Sequence, residues 1–166
     1  MKADYLKIFI LLFILLIVQV QVLNQIHLFG CATPLLYAYV PLLFARNYPR
    51  WATVVWSFLI GLFVDIFTNT PGVAAASMTL LGFLQPFLLL PFMNRDTPDD
   101  FAPSIRQMGF GKFAWYALTG VMIYCIAYYS LEFFSFFNFL MWLENVVGSG
   151  LLTFVFILIL ENFRSK

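Results

Sequence analysis

The nine lysines and arginines of this chain sort onto one side of a succession of apolar runs. Six runs are readable, at 5–23, 34–45, 51–67, 72–93, 112–131 and 143–162. Lys2 and Lys7 stand at the start of the first, and Arg46 and Arg50 separate the second from the third. Arg95, Arg106 and Lys112 separate the fourth from the fifth, and Arg164 and Lys166 follow the sixth. With six crossings of a bilayer all these charges share one face, whereas an odd number would split them. The positive-inside rule makes that face cytoplasmic, with both chain ends on it.

Composition agrees. The chain is 63% hydrophobic and 10% charged, against about 45–50% and about 25% in soluble domains. A fold in water would expose much of that apolar surface. The expectation is a single all-α integral membrane domain, residues 1–166, with six transmembrane helices. The first run is too long for a signal-peptide core and lacks a nearby cleavage site, so it is expected to be retained. The net charge of +1 and 21 phenylalanines not interleaved with basic residues argue against nucleic acid. Cys31 and Cys125 form neither a disulfide framework nor a metal motif. Leu28-Phe29-Gly30-Cys31 resembles a lipoprotein cleavage box only faintly and is set aside, because five more runs follow.

The most informative stretch is Thr53–Pro86. Thr53, Ser57, Gly61 and Asp65 recur every fourth residue, which aligns them as one small, polar ridge on a bulky helix. After the turn Thr68-Asn69-Thr70-Pro71, the residues Gly72, Ala75, Thr79, Gly82 and Pro86 recur at steps of three and four. Small residues at such spacing let helix backbones approach closely in lipid. This predicts an antiparallel hairpin, with ridge and seam available for internal packing or for a partner helix. Thr70 as N-cap and Pro71 at the first helical position suit the start of the second helix. Asp65 is near enough in sequence to reach its exposed amides.

Elsewhere the pattern is less regular. Pro34 suits a helix start, but Pro41 should kink or interrupt the short second run, as happens at some transporter binding sites. Residues 94–111, with Arg95, Asp96, Asp99, Asp100 and Arg106, read as one hydrophilic cytoplasmic loop. The acidic part of that loop is a solvated segment or a docking site for a cytoplasmic partner. The aromatic stretch Phe133–Trp142 reads as an interfacial segment on the outer surface. Phe136, Phe137 and Trp142 in it are candidates for contact with a periplasmic partner. Gly148, Ser149, Gly150 and Thr153 give the sixth run a small patch.

Catalytic signatures are not found: there is no HExxH, GxSxG, phosphate-binding glycine loop or His/Cys cluster. No catalytic residue, cofactor or metal is expected, and His27 reads as a wetted loop residue. Asp65 is read as the acid attached to a span interior, and capping, ligand binding and partner binding remain open for it.

Gly61-Leu62-Phe63-Val64-Asp65-Ile66, followed by Pro71-Gly72 and an alanine-rich helix, resembles the signature region of the rod shape-determining protein MreD family. Val64-Asp-Ile-Phe-Thr-Asn-Thr-Pro-Gly72 is similar to the version in Bacteroidetes-type members. The run from Pro34 and the basic turn Arg46–Arg50 resemble that family's second span and short connector. The specific part of the resemblance covers Pro34 to Pro86; the last two spans match mainly in hydrophobic profile. The resemblance implies a non-enzymatic, multi-pass subunit of the bacterial inner membrane that serves cell elongation and peptidoglycan synthesis. Its implied partners are an MreC-like periplasmic protein, MreB, and a SEDS glycosyltransferase with its penicillin-binding protein. It also implies a fold similar to the S-component of energy-coupling-factor transporters. The residues carried over are Gly61 and Asp65 ending the third span and Pro71-Gly72 opening the fourth.

A different class of function also fits the sequence: a small-molecule-binding subunit of an energy-coupling-factor type transporter. That reading requires an outward pocket, for which Asp65, Asn69, Gln19, Gln21 and His27 are the evident candidates. Membrane lipid is a partner under either reading.

Overall fold

A computed structural model of the chain describes residues 33–93, 101–133 and 139–164, and these are helical with no strand. A 3-10 turn, Leu36–Ala38, leads into α1 (Tyr39–Leu42). The remaining helices are α2 (Arg50–Thr68), α3 (Val73–Leu89), α4 (Ile105–Met108), α5 (Phe110–Phe133) and α6 (Phe139–Arg164). A 3-10 turn at Leu90–Phe92 extends α3. Four of these helices, α2, α3 with its 3-10 turn, α5 and α6, are long and apolar enough to span a membrane. The first run, 5–23, with Gln19 and Gln21, lies outside the described residues, as do His27, Cys31, Arg95, the acidic Asp96–Asp100 and Phe136–Phe137.

The long helices are inside-out relative to a soluble bundle. α2 buries Ala52, Thr53, Ser57, Gly61 and Asp65 while exposing Val55, Phe58, Leu59, Leu62, Phe63 and Ile66. In water this distribution would be unfavourable. In hydrocarbon, large apolar side chains face lipid at no cost and the small or polar ones mediate close helix contact. α6 repeats the arrangement, with Asn145, Ser149, Gly150, Thr153 and Glu161 inside and Leu151, Val155 and Ile159 outside.

The helices pack as antiparallel neighbours, α2 on α3, α3 on α5, and α5 on α6. This collects Arg46, Arg50, Arg106, Lys112 and Arg164 at one end of the bundle. Asp65, Glu132 and Glu144 stand at the other.

At the centre lies the short second run. Leu35–Leu43 is almost wholly buried, with Ala38 at 0% and Tyr37, Tyr39, Val40 and Leu42 at 1% exposure. Its helical turns rise only about 12 Å, well short of the roughly 30 Å hydrocarbon core. Non-helical chain carries it further. At one end the Thr33 hydroxyl meets the Tyr129 hydroxyl at 3.1 Å, near the end of α5. At the other the Arg46 amide donates to the Phe101 carbonyl at 2.9 Å.

Three local expectations are corrected. Residues 94–111 are not one solvated loop: Phe101, Pro103 and Met108 are buried, and α4 lies within the stretch. Apolar residues in that half give it something to bury, which the charges in the other half obscured. Phe133–Trp142 is not a single surface segment, because Phe133 ends α5 and Phe139–Trp142 are the first turn of α6. Helices start and end in aromatic residues here because the long apolar pattern continues through them. Finally, the N-cap of α3 is Gly72, at φ 88°, not Thr70, and the helix begins at Val73. The acceptor for its amides comes from elsewhere.

Candidate functional site

That acceptor is Asp65. Its Oδ1 accepts from the Ala74 amide at 2.9 Å and its Oδ2 from the Ala75 amide at 2.9 Å. The Thr70 hydroxyl donates to Oδ1 at 3.2 Å, and it also meets the Thr68 hydroxyl at 2.7 Å. The first amides of a helix have no intrahelical acceptor, and in lipid each unsatisfied backbone group costs several kcal/mol. An acid in the last turn of α2 is unfavourable for that helix's own dipole. It is favourable for α3, whose N-terminus it faces. One side chain thus stitches the end of one helix to the start of the next.

The turn between them needs two unusual residues. Asn69 takes the left-handed conformation at φ 56°, which asparagine tolerates better than most residues. Gly72 follows at φ 88° with open space around it, so its role is backbone shape and not close packing. Pro71 is exposed beside it.

Below the turn the backbones touch. A Cβ on Gly61 would stand 2.5 Å from the Ala75 Cα and 2.6 Å from the Ala74 carbonyl oxygen. A Cβ on Gly82 would stand 2.4 Å from the Ser57 Oγ and 3.3 Å from the Thr53 carbonyl oxygen. Ser57 returns its own hydroxyl to the Thr53 carbonyl at 2.7 Å and leaves no donor in the seam. The structure therefore brings Ser57, Gly61, Asp65, Ala75 and Gly82 together, ridge against seam. Gly72 and Pro71 lie at the turn and outside that contact.

The other predicted residues are dispersed. Trp142 stacks on Phe139 with centroids 5.6 Å apart, and its indole nitrogen is the one buried side-chain polar atom without a partner among the described residues. Phe136 and Phe137 lie outside the described residues. Of the five pocket candidates, Asp65 is engaged with backbone amides and Asn69 is exposed in the turn. Gln19, Gln21 and His27 lie outside the described residues.

A second polar system holds the central segment. Thr153 Oγ1 accepts from the Leu35 amide at 2.9 Å, and Ser149 Oγ from the Thr33 amide at 3.1 Å. The Tyr116 hydroxyl donates to the Leu42 carbonyl at 3.1 Å, and Gln85 Nε2 to the Phe44 carbonyl at 3.2 Å. Irregular backbone at membrane depth is tolerated where protein groups satisfy it, and α3, α5 and α6 each supply such groups.

The third system centres on Glu161, 1% exposed on α6. The Tyr39 hydroxyl donates to its Oε2, Arg164 Nη1 donates to the same oxygen at 3.2 Å, and the Ile105 amide donates to Oε1 at 3.2 Å. Glu161 is thus a second buried acid, alongside Asp65, which corrects the expectation of one. Its position near the end of an apolar run gave no sign of burial, because Tyr39 and Ile105 come from two distant segments. Ser149 and Thr153 were visible as small residues but not as hydrogen-bond acceptors for a neighbouring backbone.

Two concavities open at the basic end. A cleft of about 200 Å³ lies between residues 45–50 and the end of α3. An apolar groove of about 410 Å³ runs along α2 and α3. No protein-family model, curated protein or solved structure matches this chain.

Proposed function

We propose that this chain is a multi-pass, non-enzymatic scaffold subunit of a bacterial cell-elongation complex, of the MreD type, in the inner membrane. The observation that carries the reading is that Gly61, Asp65, Pro71 and Gly72, the residues of the resemblance, build one closed hairpin. Asp65 spends both carboxyl oxygens on Ala74 and Ala75. The outward face of the same helix presents Phe58, Leu62, Phe63 and Ile66. A rigid hairpin with an apolar outer face suits a subunit that works by presenting helix surfaces to other membrane proteins.

In this reading the central segment is the second of six crossings, an S-component-like arrangement, and both chain ends are cytoplasmic. Partners are an MreC-like periplasmic protein and, through it, MreB and the SEDS glycosyltransferase with its penicillin-binding protein. The test is recovery of the tagged protein from native membranes in mild detergent, with identification of what accompanies it. An MreC-like protein is the expected companion. An ATPase with a transmembrane coupling subunit overturns the scaffold reading and makes this a transporter component.

A further inference from the structure

The cleft and the groove at the basic end are neighbours that share two lining residues. Arg46, Tyr48, Arg50, Thr53 and Gln85 are among the residues lining the cleft. Trp51, Val54, Val55, Gly82 and Phe83 line the groove. Arg50 and Phe87 belong to both.

We propose that these two adjoining concavities together bind one anionic phospholipid, with its phosphate in the cleft against Arg46 and Arg50 and an acyl chain in the groove. Guanidinium groups match phosphate geometry through paired N–H donors. Arg50 stands over the Phe87 ring, 5.9 Å from its centroid, which holds the guanidinium at the junction of polar and apolar parts. α2 starts at the same place, and its cap residue, Pro49, offers no side-chain hydrogen bond to the first amides. The positive end of that helix adds to the field of the arginines. The depth is right for a headgroup, since the five described basic residues gather at this end and Trp51, 72% exposed, stands where interfacial tryptophans anchor. Gly82, whose missing side chain lets α2 and α3 close on each other at Ser57, lines the groove beside Val55 and Phe83.

The charge decides the lipid class. A phosphatidylcholine would bring a cationic group against two arginines, whereas a phosphatidylglycerol brings only the phosphate and hydroxyls. Basic pockets between helices on the cytoplasmic side are a recurring solution for such headgroups. The inference rests on membrane embedding alone and holds whichever complex the chain joins.

The experiment is native mass spectrometry of the full chain in detergent, titrated with phosphatidylglycerol and phosphatidylcholine of identical acyl chains. Phosphatidylglycerol is expected to bind preferentially. Arg46→Gln and Arg50→Gln are each expected to weaken it about five-fold. Arg106→Gln, at the same end but outside the cleft, leaves it unchanged. Val55→Trp, which fills the groove, weakens both lipids and keeps the preference. Circular dichroism confirms that each variant remains helical. Equal binding of the two lipids by wild type overturns the proposal, and so does a preference that survives removal of both arginines. Displacement of bound lipid by equimolar glycerol phosphate overturns it too, because the groove would then be idle.

Discussion

Gly61→Ala asks whether close approach of α2 and α3 is what keeps the Asp65 clamp closed. The added Cβ would lie 2.5 Å from the Ala75 Cα, where ordinary contact begins at 3.4 Å. Ala75 Cα and the Ala74 carbonyl oxygen are backbone atoms, so no rotamer change relieves the clash. The helices must part locally by about 0.9 Å, the difference between those two distances. Asp65 is one turn along the same face. Its 2.9 Å bonds to the Ala74 and Ala75 amides would then open to about 3.8 Å, beyond hydrogen-bond range. Overpacking strain costs about 1–3 kcal/mol. Losing two hydrogen bonds to a carboxyl group costs about 1.5–3 kcal/mol each. Parting of the helices relieves the strain at the expense of both bonds, so the expected destabilisation is about 3–6 kcal/mol. Reversible unfolding in mixed detergent micelles measures it. Gly111→Ala is the control: its Cβ meets nothing within 4 Å, and alanine is expected to be neutral or to stabilise by up to about 1 kcal/mol. In a double-mutant cycle with Asp65→Asn, the two losses are expected to sum to less than their separate values, since both act on the same bonds. A Gly61→Ala cost below about 0.5 kcal/mol, or full additivity, would refute the account.

The same unfolding assay checks the other two polar systems. Glu161→Leu strands the Ile105 amide and the Tyr39 hydroxyl and is expected to cost about 2–3 kcal/mol. Arg164→Met, at a side chain about one-third exposed, is expected to cost less than about 1 kcal/mol; the reverse order would show that the ion pair, and not the amide cap, is what matters. Thr153→Val keeps shape but removes the acceptor of the Leu35 amide, with an expected loss of about 1–3 kcal/mol, while Thr153→Ser retains the oxygen and most of the stability. Equal effects of valine and serine would point to packing alone.

The parts of this fold legible in the sequence were those written at short range. A period of four set Thr53, Ser57, Gly61 and Asp65 on one helix face, and the turn Thr68-Asn69-Thr70-Pro71 marked where the chain reverses, although Gly72, read as part of the seam, belongs to that turn. All-helical character followed from the length of the apolar runs. What could not be read depends on pairing between distant segments. Nothing near Glu161 in sequence announces Tyr39 or Ile105, and nothing near Thr153 announces the Leu35 amide. Thr70 looked like an N-cap because local capping rules favour it; Asp65, arriving from the previous helix, took that role instead. The aromatic stretch around Phe139 misled for a related reason, because aromatic residues suit a headgroup surface and a helix end equally well.

The central segment also has a consequence for how the chain is made. The Leu35 amide and the Leu42 and Phe44 carbonyls are satisfied by Thr153, Tyr116 and Gln85, which emerge from the ribosome much later. A stretch in that position cannot partition stably into lipid as it leaves the translocon, because the groups that solvate it have not been synthesised. It must wait at a wetter location, or in the insertion machinery, until α6 arrives. α6, made long after the segment it holds, is therefore the helix that closes the bundle around it.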